Sequence, residues 1–234
     1  NVTCTNQYLG ANVSRATETH ISASKFNNNT RSGLWLGNSI RTANTANDQR
    51  FLFDTFIDDC SCNGNGFQIA GIVEPPVDGI TGYVNSVFGC ETNRCYKITV
   101  QNSSFSDNFF TILPNDSIID LAVGGSGLVR GLDDDACRQI TFLKCYFNGN
   151  TSLYGTVEGI HYSGSIGGFL RPNVDVYMED CVASGNNGKS DTNTVLVTGY
   201  TLVYSRAIYM KNCIASGNFI QSDSPFQDDL ICGF

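Results

Sequence analysis

The sequence predicts an all-β chain built as a solenoid of parallel, stacked strands. Three observations carry that expectation. An eleven-residue pattern recurs along the 234 residues. Its columns alternate apolar and polar residues at period two, as in a strand with one buried face. The composition, with 24 Gly and only 15% charged residues, suits β structure with many turns rather than helices.

The repeat is plainest in two stretches, ITFLKCYFNGN from Ile140 to Asn150 and IYMKNCIASGN from Ile208 to Asn218. With Cys145 as the reference column, Cys181 and Cys213 fall in the same place, and upstream Ser103, Phe56 and Ser24 fit it. The six copies then start at Thr19, Phe51, Ile98, Ile140, Val176 and Ile208, at intervals of 32, 47, 42, 36 and 32 residues. Three places before the reference stand Ile21, Phe53, Val100, Phe142, Met178 and Met210. Two places after it stand Phe26, Asp58, Phe105, Phe147, Ala183 and Ala215. Five places after it stand Asn29, Ser61, Asn108, Asn150, Asn186 and Asn218, where Asn marks a turn because it tolerates positive φ and bonds its own backbone.

A second short apolar strand follows each copy: GLWLGN, GFQIAGI, IIDLAV, GTVEGIHY, TVLVTGY and the closing DLICGF. The unit is therefore strand, turn, strand, loop, and the variable intervals place insertions in surface loops. One such unit cannot bury its own inner face. Stacking at the interstrand spacing of about 4.8 Å buries a continuous core and pairs the backbone of each layer with its neighbours. Like residues then form ladders, among them Cys145, Cys181 and Cys213. Stacked neighbours have suitable Cα spacing, but their parallel Cβ vectors suit a disulfide poorly, so these three are expected as packed thiols.

Residues 1–18 lie outside the repeat and are expected to form an N-terminal cap or linker, with the parallel-stranded domain over 19–234. The chain lacks an initiator Met and a signal-type apolar segment, as expected of a processed or excised start. Of ten Cys, Cys90 and Cys95 bracket the polar loop ETNR and are the candidate disulfide. Sequons stand at Asn1, Asn12, Asn28, Asn102, Asn115 and Asn150, of which Asn12, Asn28, Asn102 and Asn115 are the glycosylation candidates.

The net charge is −8 with only 14 Lys+Arg and no basic cluster, which argues against nucleic acid and against an anionic membrane surface. No apolar stretch approaches the roughly 20 residues of a membrane span. Neither His20 nor His161 has a partner at zinc-ligand spacing, and no nucleophile elbow, phosphate-binding loop or dinucleotide fingerprint is present.

The pattern I-x-F-x-x-C-x-F-x-x-N resembles the repeat of right-handed parallel β-helix proteins, the pectate-lyase-like superfamily, over Thr19 to Phe234. That resemblance implies a right-handed β-helix of about six coils. It leaves activity open, since the superfamily spans polysaccharide lyases, hydrolases, tailspikes, adhesins and virion fibres. The polygalacturonase-like motifs appear only as fragments. Asp133, Asp134 and Asp135 stand in LDDDAC, flanked by Arg130 and Arg138, and Glu158 and His161 stand in EGIHYSG, where Tyr162 replaces the expected Gly. These four carboxylates are the candidate catalytic residues if the chain is a polysaccharide lyase or glycoside hydrolase, and only that alternative calls for a cofactor, Ca²⁺. Tyr177 and Tyr209 share one outward column and Glu179 and Lys211 the next, which fits either a carbohydrate-binding module or plain cross-strand stabilisation. The leading expectation is a non-catalytic rod at an extracellular or virion surface, of fibre, tailspike or adhesin type. By the resemblance it self-associates, as a homotrimer in many such rods, or meets other surface proteins and glycan.

Overall fold

The structure is a computed structural model that describes residues 1–13, 16–30, 32–37, 52–69, 85–93, 95–112, 121–128, 138–153, 156–163, 174–190, 196–203, 205–222 and 230–232. Among them there is strand and turn but no helix. The chain opens with β1 (Leu9–Val13), β2 (His20–Ser22) and β3 (Ser32–Gly37). Three similar passes follow: β4 (Leu52–Asp58), β5 (Gly66–Ile69) and β6 (Asn85–Asn93); β7 (Cys95–Gln101), β8 (Phe109–Ile112) and β9 (Leu121–Leu128); β10 (Arg138–Leu143), β11 (Thr151–Leu153) and β12 (Thr156–Ser163). Two further passes insert a short extra strand: β13 (Val174–Glu179), β14 (Val182–Ser184), β15 (Asn187–Ser190) and β16 (Leu196–Val203); then β17 (Ser205–Lys211), β18 (Ile214–Ser216), β19 (Phe219–Ser222) and β20 (Leu230–Cys232).

The strands form three long sheets in the orders β2-β4-β7-β10-β13-β17, β5-β8-β11-β15-β19 and β1-β3-β6-β9-β12-β16-β20, with β14 beside β18. Every pairing between named strands is parallel. The all-β, parallel-stranded expectation therefore holds. Each pass has three principal strands rather than the two read from the sequence. Of the six second strands read as one set, GFQIAGI belongs to the sheet from β5 to β19, whereas the other five fall in the sheet from β1 to β20; the rest of the middle sheet escaped the reading because its strands are only three or four residues long.

The predicted register is correct for the last four copies: Ile98, Ile140, Val176 and Ile208 are successive partners, as are Val100, Phe142, Met178 and Met210. The second copy is displaced by four residues. Thr55, not Phe51, aligns with Ile98, and Ile57, not Phe53, aligns with Val100 and Ile21. Cys60, Cys62 and Asn65 thus take the columns assigned to Phe56, Asp58 and Ser61, and successive Asn residues lie 36, 43, 42, 36 and 32 apart. The aromatic run at Phe51–Phe53 misled the alignment because the true apolar column holds a threonine there. Thr55 is 2% exposed, and its hydroxyl is buried without a hydrogen-bond partner.

Two bends shape the corner after the first sheet. Ala23, Asp59, Asn102, Lys144, Asp180 and Asn212, one before each reference residue, all have φ of 46–55°. Such a left-handed conformation costs an ordinary residue about 1–2 kcal/mol. The reference side chain repays part of it by donating to the carbonyl two residues back: Ser24 to Ser22 and Ser103 to Gln101 at 2.7 Å, Cys60 to Asp58 at 3.3 Å, Cys145 to Leu143 and Cys181 to Glu179 at 3.4 Å, Cys213 to Lys211 at 3.5 Å. A small side chain bearing a proton is what the column requires, hence Ser or Cys throughout.

The second bend corrects the reading of the Asn column. The positive φ belongs to the residue before it, Asn28, Gly64, Asp107, Gly149, Gly185 or Gly217. The Asn side chains instead form a continuous ladder. Each Oδ1 accepts both the backbone N–H and the Nδ2 of the Asn one pass earlier, at 2.8–3.1 Å from Asn29 through Asn218. Asn29, Asn65, Asn108, Asn150 and Asn186 are at most 1% exposed.

The core runs along the inside of the stack. Phe26, Cys62, Phe105 and Phe147 share a column, with Phe105 and Phe147 stacked at 5.5 Å and Phe142 edge-on to Phe147 at 5.4 Å. The column then shrinks to Ala183 and Ala215, and the third sheet fills the space. Gly199 lies so close that an added Cβ would stand 2.8 Å from Ala215 Cβ, and the buried Tyr200 hydroxyl reaches the carbonyls of Cys181 and Ile214 at 3.0 and 2.9 Å. Residues 1–13 pair with the pass that follows them: Thr3 bridges Lys25 and β1 lies in register with β3.

Candidate functional site

The outward face of the first sheet gathers the candidate side chains that the structure describes. Strand alternation points Tyr177 and Tyr209 away from the core because Val176 and Met178 point into it. The two rings stack face to face, centroids 4.8 Å apart and planes 8° apart. The Tyr177 hydroxyl donates to Glu179 Oε2 at 2.7 Å, and Lys211 Nζ donates to Glu179 Oε1 at 2.5 Å. The Lys211 ammonium beside it, and then the Tyr177 hydroxyl, hold the Glu179 carboxyl below its ordinary pKa. The same hydrogen bonds raise Lys211 and Tyr177 above theirs. Just beyond, Asn212 donates to Asp180 at 3.1 Å, a pairing repeated lower down where Asn102 donates to Asp58 at 2.9 Å and lowers the Asp58 pKa.

The corrected register extends this stripe in a way the sequence reading missed. His20, Phe56, Thr99 and Thr141 precede Tyr177 and Tyr209 in one column. His20 meets Phe56 edge-on at 4.9 Å. A second outward column, Glu18, Asp54, Lys97 and Gln139, shares positive φ, and Lys97 pairs with Asp54 at 2.6 Å. The signal that finds both is the Cys60-x-Cys62-x-x-Asn65 spacing, which matches Cys145-x-Phe147-x-x-Asn150.

The remaining candidates scatter. Asp133, Asp134, Asp135, Arg130 and Asn115 lie outside the described residues. Glu158 lies in β12 with Gly124 and Thr198 as its neighbours in register. Cys90 and Cys95 are buried thiols rather than the small ring suggested by their spacing. They fall in β6 and β7, on two different sheets, and the Cys95 thiol is directed 3.3 Å from the Leu36 carbonyl. Cys145, Cys181 and Cys213 are free thiols, as expected, and burial pushes the Cys145 thiol well above its ordinary pKa. Asn12, Asn28 and Asn102 are exposed, whereas Asn150 is buried in the Asn ladder and closed to modification in the folded chain. Among the described residues no group of three or more His, Cys, Asp or Glu is arranged to hold a metal, and no helix is long and apolar enough to cross a membrane.

In the tyrosine cluster the rings and polar groups engage one another across two passes. One face of Tyr177 is covered by Tyr209, and its hydroxyl is engaged by a carboxylate that is itself paired. A sugar ring seeks an open aromatic face, and Tyr209, 51% exposed, presents more of one than the partly buried Tyr177 does. No family model, curated protein or solved structure matches this chain.

Proposed function

We propose that the chain is a right-handed parallel β-helix acting as a non-catalytic structural domain, displayed at an extracellular or virion surface as part of a fibre, tailspike-like appendage or adhesin. The observation that supports this most is where the chemically capable side chains go. The Asn ladder bonds pass to pass, the Cys145 and Cys181 thiols lie against carbonyls of their own pass and of the one before, and the Tyr177–Glu179–Lys211 cluster joins two passes of the same chain. A rigid stack of this kind presents surface loops and flat sheet faces to partners. By this reading the partners are further copies of the chain, other surface proteins, or glycan contacted without cleavage.

The test is a cleavage assay on acidic and neutral polysaccharides, with and without Ca²⁺, following new unsaturated ends and new reducing ends. No turnover is expected. Turnover that disappears in Asp134→Ala or Glu158→Ala would make the chain an enzyme and overturn the reading.

A further inference from the structure

The pass from β4 to β6 departs from the others at the centre of the core. One inward column follows the bridged row Lys25, Ser61, Ser104, Tyr146 and Val182 by one residue, and so runs Phe26, Cys62, Phe105, Phe147 and Ala183. In the third sheet Leu34, Cys90, Ser126, Ile160 and Tyr200 are successive partners. At two other levels these columns meet. A Cβ added to Gly33, beside Leu34, would stand 2.6 Å from the Phe26 carbonyl oxygen and 2.7 Å from that of Gly89. A Cβ added to Gly199, beside Tyr200, would stand 3.3 Å from the Ala183 Cβ. The two walls are thus in close contact, and at these levels a bulky side chain fills the space between them: Phe26 with Leu34, and Tyr200 over Ala183. In the pass from β4 to β6 both places hold cysteine, Cys62 at 0% exposed and Cys90 at 1%. The neighbouring thiols are directed at carbonyls, Cys60 to those of Asp58 and Ile21 and Cys95 to that of Leu36.

We propose that Cys62 and Cys90 are a redox pair, thiols in the structure and joined by oxidation into a disulfide across the core of this pass. A disulfide spans a Cβ separation of only about 3.5–4.5 Å, which is a reach that suits two walls in close contact. The two residues point inward from opposite walls, unlike Cys145, Cys181 and Cys213, whose Cβ vectors run parallel along one wall. Burial, and then the Cys90 thiol, push the Cys62 thiol well above its ordinary pKa, and Cys90 acts on it more strongly than Cys60, two residues away. Thiolate is therefore scarce and shielded in the folded chain, so the bond forms while the chain folds. One cysteine, as thiolate, attacks a low-molecular-weight disulfide and expels half of it as a thiol. The other cysteine then attacks the mixed disulfide and expels the second half. Two protein thiols thereby give up two protons and two electrons, and the small disulfide is reduced to two thiols. The inference goes beyond the structural role proposed above and does not depend on it, since the pair lies inside the stack with passes on both sides.

Refolding of the full chain from urea in oxidised glutathione tests the pair, with alkylation of the remaining thiols and peptide mapping without reduction. A peptide linking Cys62 to Cys90 is expected. The oxidised chain should also unfold at a urea concentration about 1 M higher than the reduced chain, because the bond closes the 27 residues from Asn63 to Gly89 into a loop in the unfolded state. That shift should vanish when a phosphine reductant is added before unfolding. It should be absent in Cys62→Ala and Cys90→Ala and kept in Cys181→Ala. The mapping is made on the wild-type chain, so it decides the matter even where a variant fails to fold. Alkylation of all ten cysteines, a link from Cys62 to any cysteine other than Cys90, a linked chain that unfolds at no more urea than the reduced one, or a shift that survives Cys90→Ala would each overturn the proposal.

Discussion

Ile140 and Ile208 occupy one column of one sheet, three strands from its far end in one case and at its edge in the other. Both begin an eleven-residue segment of the same pattern, yet Ile140 is 1% exposed and Ile208 48%. The same contrast separates Phe147, fully buried, from the half-exposed terminal strands, and Asn150, bonded to Asn108 below and Asn186 above, from Asn218, the last rung of the ladder. Identical local chemistry therefore contributes differently according to what lies above and below it. In a stack of repeats a residue's energy is mostly an interface term between neighbouring passes.

Substitutions in matched pairs probe that contrast most directly. Phe147→Ala should cost about 4 kcal/mol in urea unfolding, since it empties a site lined by Phe105 and Phe142, whereas Phe219→Ala should cost about 1 kcal/mol or less. Equal costs would show that the last pass is covered, and would break the comparison. Asn150→Ala should cost about 3 kcal/mol because it strands the backbone N–H and side chain of Asn108 in the core, and Asn218→Ala, which removes the acceptor of the same two groups of Asn186 beside the more open last pass, should cost less, about 2 kcal/mol. Tyr200→Phe should cost about 1–1.5 kcal/mol, the loss of a buried hydroxyl that ties the third sheet to the corner.

Thiol labelling sharpens the contrast without mutation. Under native conditions Cys213, partly exposed, should react ahead of Cys145, whose thiol is fully buried and pushed to high pKa by that burial. Peptide mapping after a short pulse of a thiol reagent reads the order, and simultaneous labelling would mean that the stack opens as one unit.

The smallest effect concerns pH. Glu179 has its pKa lowered by Lys211 and Tyr177, so its contribution is present above the ordinary glutamate range and is lost as pH falls through the lowered value. Lys211 is raised by Glu179, so its contribution is complete below the ordinary lysine pKa and lost as pH rises through the raised one. The contribution of the pair should therefore be constant between the two limbs, and Glu179→Gln should make the acid limb shallower at pH values near and below the ordinary glutamate pKa. An unchanged acid limb in that variant would show that the pair contributes nothing there.

Much of the fold was legible because its repeat is written in residues with few substitutes. Only an amide side chain can receive two donors from one neighbour and give one to the next, so the Asn column recurs; only a small proton-bearing side chain closes the bend, so Ser and Cys recur. The tyrosine pair and the Glu179–Lys211 pair were legible for the same reason, being four and two residues, respectively, before fixed reference positions. The second copy was misread because Thr55 sits where an apolar residue is expected. There the long-range ladder through Asn65 overrules the local run of aromatic residues.

By itself the sequence determined the parallel stacking, the inward columns of the last four copies and the free state of the Cys145–Cys181–Cys213 row, because these follow from period-two alternation and repeat spacing. Only the tertiary structure decided which residue of each bend takes positive φ, that each pass carries a third strand, that Cys90 and Cys95 remain thiols, and that the ring face of Tyr177 is closed by Tyr209. Those outcomes depend on backbone direction at the corners and on which pass lies next in the stack, and neither is encoded within eleven residues.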